Sequence, residues 1–70
     1  MAQTLRTTIN GVNYSVHLTA IGERKVVWVH VERVRKDGSK VWAFLSHRQR
    51  AAENQVKARF AAEINAHIAG

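Results

Sequence analysis

Three glycine-containing pairs divide the first 45 residues into four short segments, and these pairs constrain the fold more than any other feature. Asn10-Gly11 and Asp37-Gly38 suit tight turns, because glycine accepts a positive φ angle and Asn or Asp tolerates one. Gly22-Glu23 is a weaker signal of the same kind. Such short connections join antiparallel neighbours, so the chain is predicted to form a meander of β-strands.

Apolar and polar residues alternate in the first two segments, as expected of half-buried strands. If Asn10-Gly11 forms a two-residue loop, Ile9 lies opposite Val12 and Leu5 lies opposite Val16. One apolar face then continues along the second segment through alternate residues: Val12, Tyr14, Val16, Leu18 and Ala20.

The third segment, which is rich in valine, extends this face if Gly22-Glu23 is also a two-residue loop. Val16 then pairs with Val29 on the core side. On the other side of the sheet, which we call the open face, His17 lies opposite Trp28 and Ser15 lies opposite His30.

The turn at Asp37-Gly38 leaves two registers open, and they differ by one residue. A three-residue loop with a bulge sends Val41, Ala43 and Leu45 to the core and leaves three residues on the open face: Lys40, Trp42 and Phe44. A two-residue loop exchanges the two sets. We favour the bulged loop, because one helix over a small sheet has little room for Trp42 and Phe44 beside Tyr14 and Phe60.

From Ser46 onward the apolar period becomes that of a helix, with Ser46 as a suitable N-cap. Apolar residues recur every four positions and predict the stripe that packs on the sheet: Ala52, Val56, Phe60, Ile64 and Ile68. Glu53 with Lys57 and Arg59 with Glu63 are spaced as helical ion pairs. We therefore predict an α+β fold in one small domain, residues 1–70, with a four-stranded antiparallel meander sheet packed by one C-terminal helix (β-β-β-β-α).

The charge of the chain points to an anionic partner. Its formal net charge is +6 at pH 7, and it contains no cysteine, so disulfide and thiolate chemistry are excluded. No basic-then-apolar leader and no run of about 18 apolar residues occurs, so we expect a cytoplasmic protein without a membrane partner. The small size favours a homodimer or a bound partner, because 70 residues bury only a modest core.

Basic and aromatic residues cluster on the predicted open face, at the last hairpin tip and at the helix start. Basic side chains neutralise phosphates, while tryptophan stacks on unpaired bases. We expect a nucleic-acid-binding protein, DNA ahead of RNA, with these contact residues: Arg6, His17, Trp28, His30, Arg33, Arg35, Lys36, Lys40, Trp42, Arg48 and Arg50. The alternative is a protein-interaction module, such as a small phage- or plasmid-type inhibitor, that docks its Trp-bearing face on a protein partner or on itself.

Metal and enzyme chemistry have weak support in the sequence. The four histidines lack a short ligand spacing. Glu32 near His30 is the one acid on the predicted open face, and a lone Glu and His do not make an active site. We expect no catalytic residues, no metal site and no cofactor.

Residues 35–64 contain a short motif with a family likeness. Lys40-Val41-Trp42 follows a basic turn and precedes a helix with Ala51-Ala52. This part of the chain resembles the second half of an AP2 or integrase-type DNA-binding domain, in which a three-stranded sheet packs on a C-terminal helix and lies in the major groove. The resemblance implies that Lys40 and Trp42 contact DNA, with Arg33 and Arg35 beside them. Phe44 stands where that family usually has glycine, and a further strand precedes the sheet.

Overall fold

The computed structural model describes residues 2–70 and, within them, shows four antiparallel strands followed by two helices. The strands are β1 (Gln3–Ile9), β2 (Val12–Ile21), β3 (Arg24–Val34) and β4 (Lys40–Phe44), in the sheet order β1-β2-β3-β4. A 3₁₀ turn (His47–Gln49) leads into α1 (Arg50–Arg59) and α2 (Ala61–Ala69). The predicted α+β meander is confirmed, although two helices replace the single one expected.

The first two hairpins have the predicted register. Asn10 and Gly11 both adopt positive φ angles, 52° and 77°, as the two central residues of a type I′ turn must. Val16 pairs with Leu5 on β1 and with Val29 on β3. Because side chains alternate along each strand, these pairs align one continuous apolar face across three strands.

The third hairpin adopts the three-residue loop, residues 36–38. Arg35 N donates to Ser39 O at 2.8 Å, and Gly38 N donates to Arg35 O at 2.9 Å. Gly38 has a φ angle of 87°, the left-handed conformation that closes such a loop. Val31 consequently pairs with Ala43, and the favoured register, which leaves Trp42 and Phe44 on the open face, is confirmed.

The core lies between the two central strands and α1. Its fully covered side chains come mostly from β2 and β3, with one from α1: Tyr14, Val16, Leu18, Val29, Val31 and Val56. Burying a valine- or leucine-sized side chain contributes roughly 1.5–3 kcal/mol. Leu5, Leu45, Phe60 and Ile64 pack around this centre, so the outer strands and α2 depend on it.

The helical segment breaks at Phe60, whose φ and ψ angles are −109° and 26°. Ile64 N still donates to Phe60 O at 2.9 Å, so helical hydrogen bonding resumes at once. Because β-sheets are twisted, the break at Phe60 allows α1 to contact β2 while α2 contacts β3. A single straight helix, as the sequence pattern predicts, would not follow both strands.

This break also changes which residues of α2 face the sheet. Ile68 is 57% exposed, so its predicted place in the apolar stripe is wrong. His67 occupies that place, and its Nε2 lies 2.9 Å from Thr19 O and 3.2 Å from Val26 O. Carbonyl oxygens only accept, so Nε2 carries the proton and donates to both.

One of the two predicted helical ion pairs is confirmed. Lys57 Nζ lies 3.2 Å from Glu53 Oε1. Arg59 instead reaches across to β1, where its Nη1 donates to Thr7 Oγ1 at 2.7 Å and to Thr8 O at 3.3 Å. The break at Phe60 lies between Arg59 and Glu63, which removes the regular helical spacing that the pair requires.

Ile64 and Ile68 provide a matched test of the helix orientation. We expect Ile64→Ala to lower the free energy of unfolding by about 2 kcal/mol, the low end for a core isoleucine, because Ile64 is only partly buried. Ile68→Ala should change it by about 0.5 kcal/mol or less. Urea denaturation followed by circular dichroism measures both, and equal losses would contradict the observed orientation of α2.

The third hairpin makes a prediction about Asp37. Its Oδ1 accepts from Ser39 Oγ at 2.6 Å and from Ser39 N at 2.9 Å, and these bonds lower the pKa of the Asp37 carboxyl below its usual range. The stabilisation is therefore present at neutral pH and is lost as the pH falls through that lowered pKa. Ser39→Ala should raise the Asp37 pKa in an NMR titration, whereas Ser39→Thr should keep it low. An unchanged pKa in Ser39→Ala would rule out the hydroxyl as its cause.

Candidate nucleic-acid interface

Both helices pack on one side of the sheet and leave the open face to solvent. Strand alternation brings to this face residues from all four strands. Six residues predicted as nucleic-acid contacts lie here: Arg6, His17, Trp28, His30, Lys40 and Trp42. Phe44, which the sequence placed on this face but which was not among the predicted contacts, lies with them.

Four of these side chains form an aromatic cluster: His17, Trp28, His30 and Phe44. Trp28 is at its centre, with its ring centroid 6.2 Å from those of His17 and Phe44, and the Phe44 ring meets it edge to face at 79°. His30 and Phe44 are 4.6 Å apart. Thr4 Oγ1 lies 3.1 Å from His17 Nδ1 and restrains that ring. These contacts within the chain therefore hold the rings in defined positions.

The cluster is open to solvent although it is largely apolar. Trp28 is 38% exposed and Phe44 is 67% exposed. Large apolar side chains that are gathered on one face, rather than scattered singly, mark sites of interaction. The arrangement consequently has the exposed apolar character that is typical of interaction surfaces.

Beside this cluster, Arg6 and Trp42 meet above the sheet from its two edge strands. Arg6 Cζ lies 5.5 Å from the Trp42 ring centroid, within the range of a cation–π interaction. Ser15, the cross-strand neighbour of Arg6 and His30, is 7% exposed although it belongs to the open face. Long side chains thus cover the middle of this face.

An open cleft of about 270 Å³ runs next to Trp42. A chain of hydrogen bonds crosses it: Thr8 Oγ1 donates to Asn13 Oδ1 at 2.5 Å, and Asn13 Nδ2 donates to Glu32 Oε1 at 3.1 Å. The walls combine cationic, aromatic and polar groups: Arg6, Thr7, Thr8, Asn13, Tyr14, Glu32 and Trp42. The cleft therefore offers a flat ring surface together with directed hydrogen-bonding groups.

Sequence reasoning did not include Thr8 and Asn13 among the contact residues. Strand alternation had placed Asn13 in a polar series on the correct face. The hydrogen bond from Asn13 to Glu32 joins β2 to β3. It forms only with particular side-chain rotamers, which strand alternation does not specify. Neither residue is basic or aromatic, so charge and aromatic content gave no signal for them.

The remaining predicted contacts lie elsewhere. Arg35 and Lys36 belong to the loop region of the third hairpin and are exposed. Arg33 was expected at that tip, but it lies on β3 in register with Val41 on the core side, and its Nη2 donates to Gln49 Oε1 at 3.2 Å. Arg48 and Arg50 belong to the helical layer near Gln49. The eleven residues therefore lie in three places: six on the open face, two at the loop, and Arg33, Arg48 and Arg50 on the helical side.

The predicted start of the helical segment is confirmed, and part of its backbone is already hydrogen-bonded. Ser46 N donates to Gln49 Oε1 at 3.0 Å, and Gln49 N donates to Ser46 O at 2.9 Å. This pattern resembles half of a capping box. The Gln49 side-chain oxygen thus accepts from Ser46 and from Arg33, and Arg48 and Arg50 are its neighbours in the sequence.

No protein-family model, curated protein or solved structure matches this chain. Residues 2–70 contain no group of three or more His, Asp or Glu residues placed to hold a metal ion. Within the same residues, no helix has the length and apolar character needed to cross a membrane.

The contact between Arg6 and Trp42 can be measured in solution. A double-mutant cycle with Arg6→Ala and Trp42→Ala should give a coupling of about 0.5–1 kcal/mol in the free energy of unfolding, the size of an exposed cation–π pair. Arg24 begins β3, whereas Trp42 pairs with Glu32 near the end of that strand. The control cycle of Arg24→Ala with Trp42→Ala should therefore give a coupling near zero. Equal couplings in the two cycles would show that Arg6 and Trp42 do not interact specifically.

Proposed function

We propose that the protein binds nucleic acid, DNA ahead of RNA, through the open face and the loop of the third hairpin, without catalysing a reaction. The observation that carries the proposal is the solvent-exposed aromatic cluster on a chain of net charge +6. The preference for DNA over RNA follows from the resemblance of Lys40-Val41-Trp42 to an AP2-type strand. That family's sheet lies in a duplex groove, whereas the aromatic cluster of this chain favours single strands.

The aromatic cluster supports stacking as the main source of affinity. An aromatic side chain that stacks on an unpaired base contributes about 1–3 kcal/mol, and every base has a flat face to offer. Trp28 and Phe44 are held by their mutual contact and by His17 and His30, so little conformational entropy is lost when a base stacks on them. Because bases within a duplex are already stacked, this surface favours single strands.

Basic residues at the third hairpin supply the contacts to phosphates. Arg35 and Lys36 are exposed beside the loop, and exposed Lys40 begins β4 on the open face. Each phosphate that they neutralise releases counterions, which gives affinity that depends on salt but not on sequence. A strand that crosses the aromatic cluster would meet these charges at the loop end of β3 and β4.

A second candidate function is association with a protein, including a second copy of this chain. Val34 is 66% exposed on the same side of the sheet, opposite Lys40 at the loop end of β3, and an exposed aliphatic side chain favours a protein surface over a nucleobase. In this case the Trp-bearing face would be buried in a protein interface or a homodimer, and nucleic acid would bind weakly.

Fluorescence anisotropy with labelled single-stranded DNA, duplex DNA and RNA separates the two candidates. We expect the tightest binding to single-stranded DNA and a marked loss of affinity between about 50 and 200 mM salt. Trp28→Ala should weaken binding by about ten-fold or more, since it removes a stacking surface. Ile68→Ala, which removes an exposed apolar group on the helical side, should leave the affinity unchanged.

Folding of each variant is checked by circular dichroism, and Phe44→Ala repeats the test at a more exposed ring. Weak, salt-independent binding to all three nucleic acids would overturn the proposal. If analytical ultracentrifugation then showed a dimer that Trp28→Ala dissociates, the protein-interaction function would replace it.

A further inference from the structure

We infer that the cleft between Arg6, Glu32 and Trp42 selects guanine from a single strand bound on the open face. This inference rests on the proposed nucleic-acid binding and adds a base preference to it. The juxtaposition that carries it is a carboxylate and an oriented amide next to an exposed indole ring.

Glu32 is an anomaly on a surface that attracts polyanions. The other acidic residues lie elsewhere, at turns or on the helices: Glu23, Asp37, Glu53 and Glu63. Within residues 2–70 the ion pair formed is that of Lys57 with Glu53, so no ion pair offsets the negative charge of Glu32 on the open face. That charge repels phosphates. A neutral glutamine could accept the same hydrogen bond from Asn13, so this bond alone does not require a carboxylate.

The hydrogen bonds around Asn13 fix the direction of its amide. A carboxylate only accepts, so the amide nitrogen must face Glu32, and Thr8 donates to the amide oxygen on the other side. Nδ2 has a second hydrogen besides the one that it donates to Glu32. Along the cleft, Asn13 and Glu32 therefore offer one donor, which is the second Nδ2 hydrogen, followed by two acceptors, which are the oxygens of Glu32.

Among the common bases, guanine has the complementary edge. Its Watson–Crick side presents an acceptor, O6, followed by two donors, the N1 and N2 hydrogens. Adenine and cytosine each place a ring nitrogen that accepts beside their amino group, and thymine places its single donor between two carbonyls. Adenine and cytosine can therefore pair their ring nitrogen with the Asn13 donor and their amino group with one Glu32 oxygen, but they leave the other oxygen without a donor. Thymine sets one of its carbonyls against a Glu32 oxygen, which is unfavourable. Guanine alone provides a donor for each of the two oxygens.

Trp42 supplies the surface on which the base stacks. The Trp42 ring is 39% exposed and has the Arg6 guanidinium 5.5 Å from its centre. A cleft of about 270 Å³ is large enough for one base rather than for a longer segment. A base that stacks on Trp42 takes the place of the Arg6 guanidinium, which is then free to contact a neighbouring phosphate.

The experiment measures base preference separately from affinity. Labelled oligothymidylate of about 12 nucleotides is compared with the same strand carrying one central guanine, adenine, cytosine or hypoxanthine. We expect the guanine strand to bind about ten-fold more tightly than the others, as a bidentate contact allows. Hypoxanthine lacks the 2-amino group and leaves one Glu32 oxygen without a donor, so it should lose most of the preference.

Glu32→Gln should abolish the guanine preference and, because a negative charge is removed, should tighten binding to oligothymidylate. Glu23→Gln removes the same charge at the second turn and should keep the preference. A wild-type protein that binds all strands equally, or a guanine preference that survives in Glu32→Gln, would overturn the inference while leaving the proposed function standing. Failure to bind any strand would overturn both.

Discussion

The structure depends on the burial of one face of β2 and β3 beneath the helical layer. Val16 and Leu18 on β2 pair directly with Val29 and Val27 on β3, and Val56 closes over them from α1. These two strands have neighbours on both edges, whereas β1 and β4 each have one. Loss of this apolar contact would release the helices and the outer strands together, because each of them packs against the same small centre.

A fold with a single helical layer covers one side of its sheet and leaves the other in water. In this protein that side carries Trp28, Trp42 and Phe44, whose apolar surface would be better buried if stability alone determined the sequence. Their contacts with His17, His30 and Arg6 hold the rings in defined positions. An ordered, exposed aromatic surface on a basic domain is the feature that the proposed function explains.

The loop at residues 36–38 determines the character of this surface. Gly38 adopts a φ angle of 87°, which adds one residue to the turn relative to a two-residue loop. Because strand side chains alternate, that one residue decides whether Trp42 or Val41 faces the core. The conformation of Gly38 therefore sets the face of the sheet on which the aromatic residues of β4 lie.

Sequence by itself determined the four strands, their order and the pairing of the first two hairpins, because turn chemistry and two-residue alternation are local properties. It also indicated the favoured register of β4 through the volume of the core. The position of Arg33 off the open face follows from the same strand alternation. Tertiary structure alone decided the break at Phe60 and the place of His67 in the helical face, since these follow from how a twisted sheet meets its helices. The series of hydrogen bonds from Thr8 through Asn13 to Glu32 likewise required three strands to be in register. Side chains from distant positions must meet before such bonds can form.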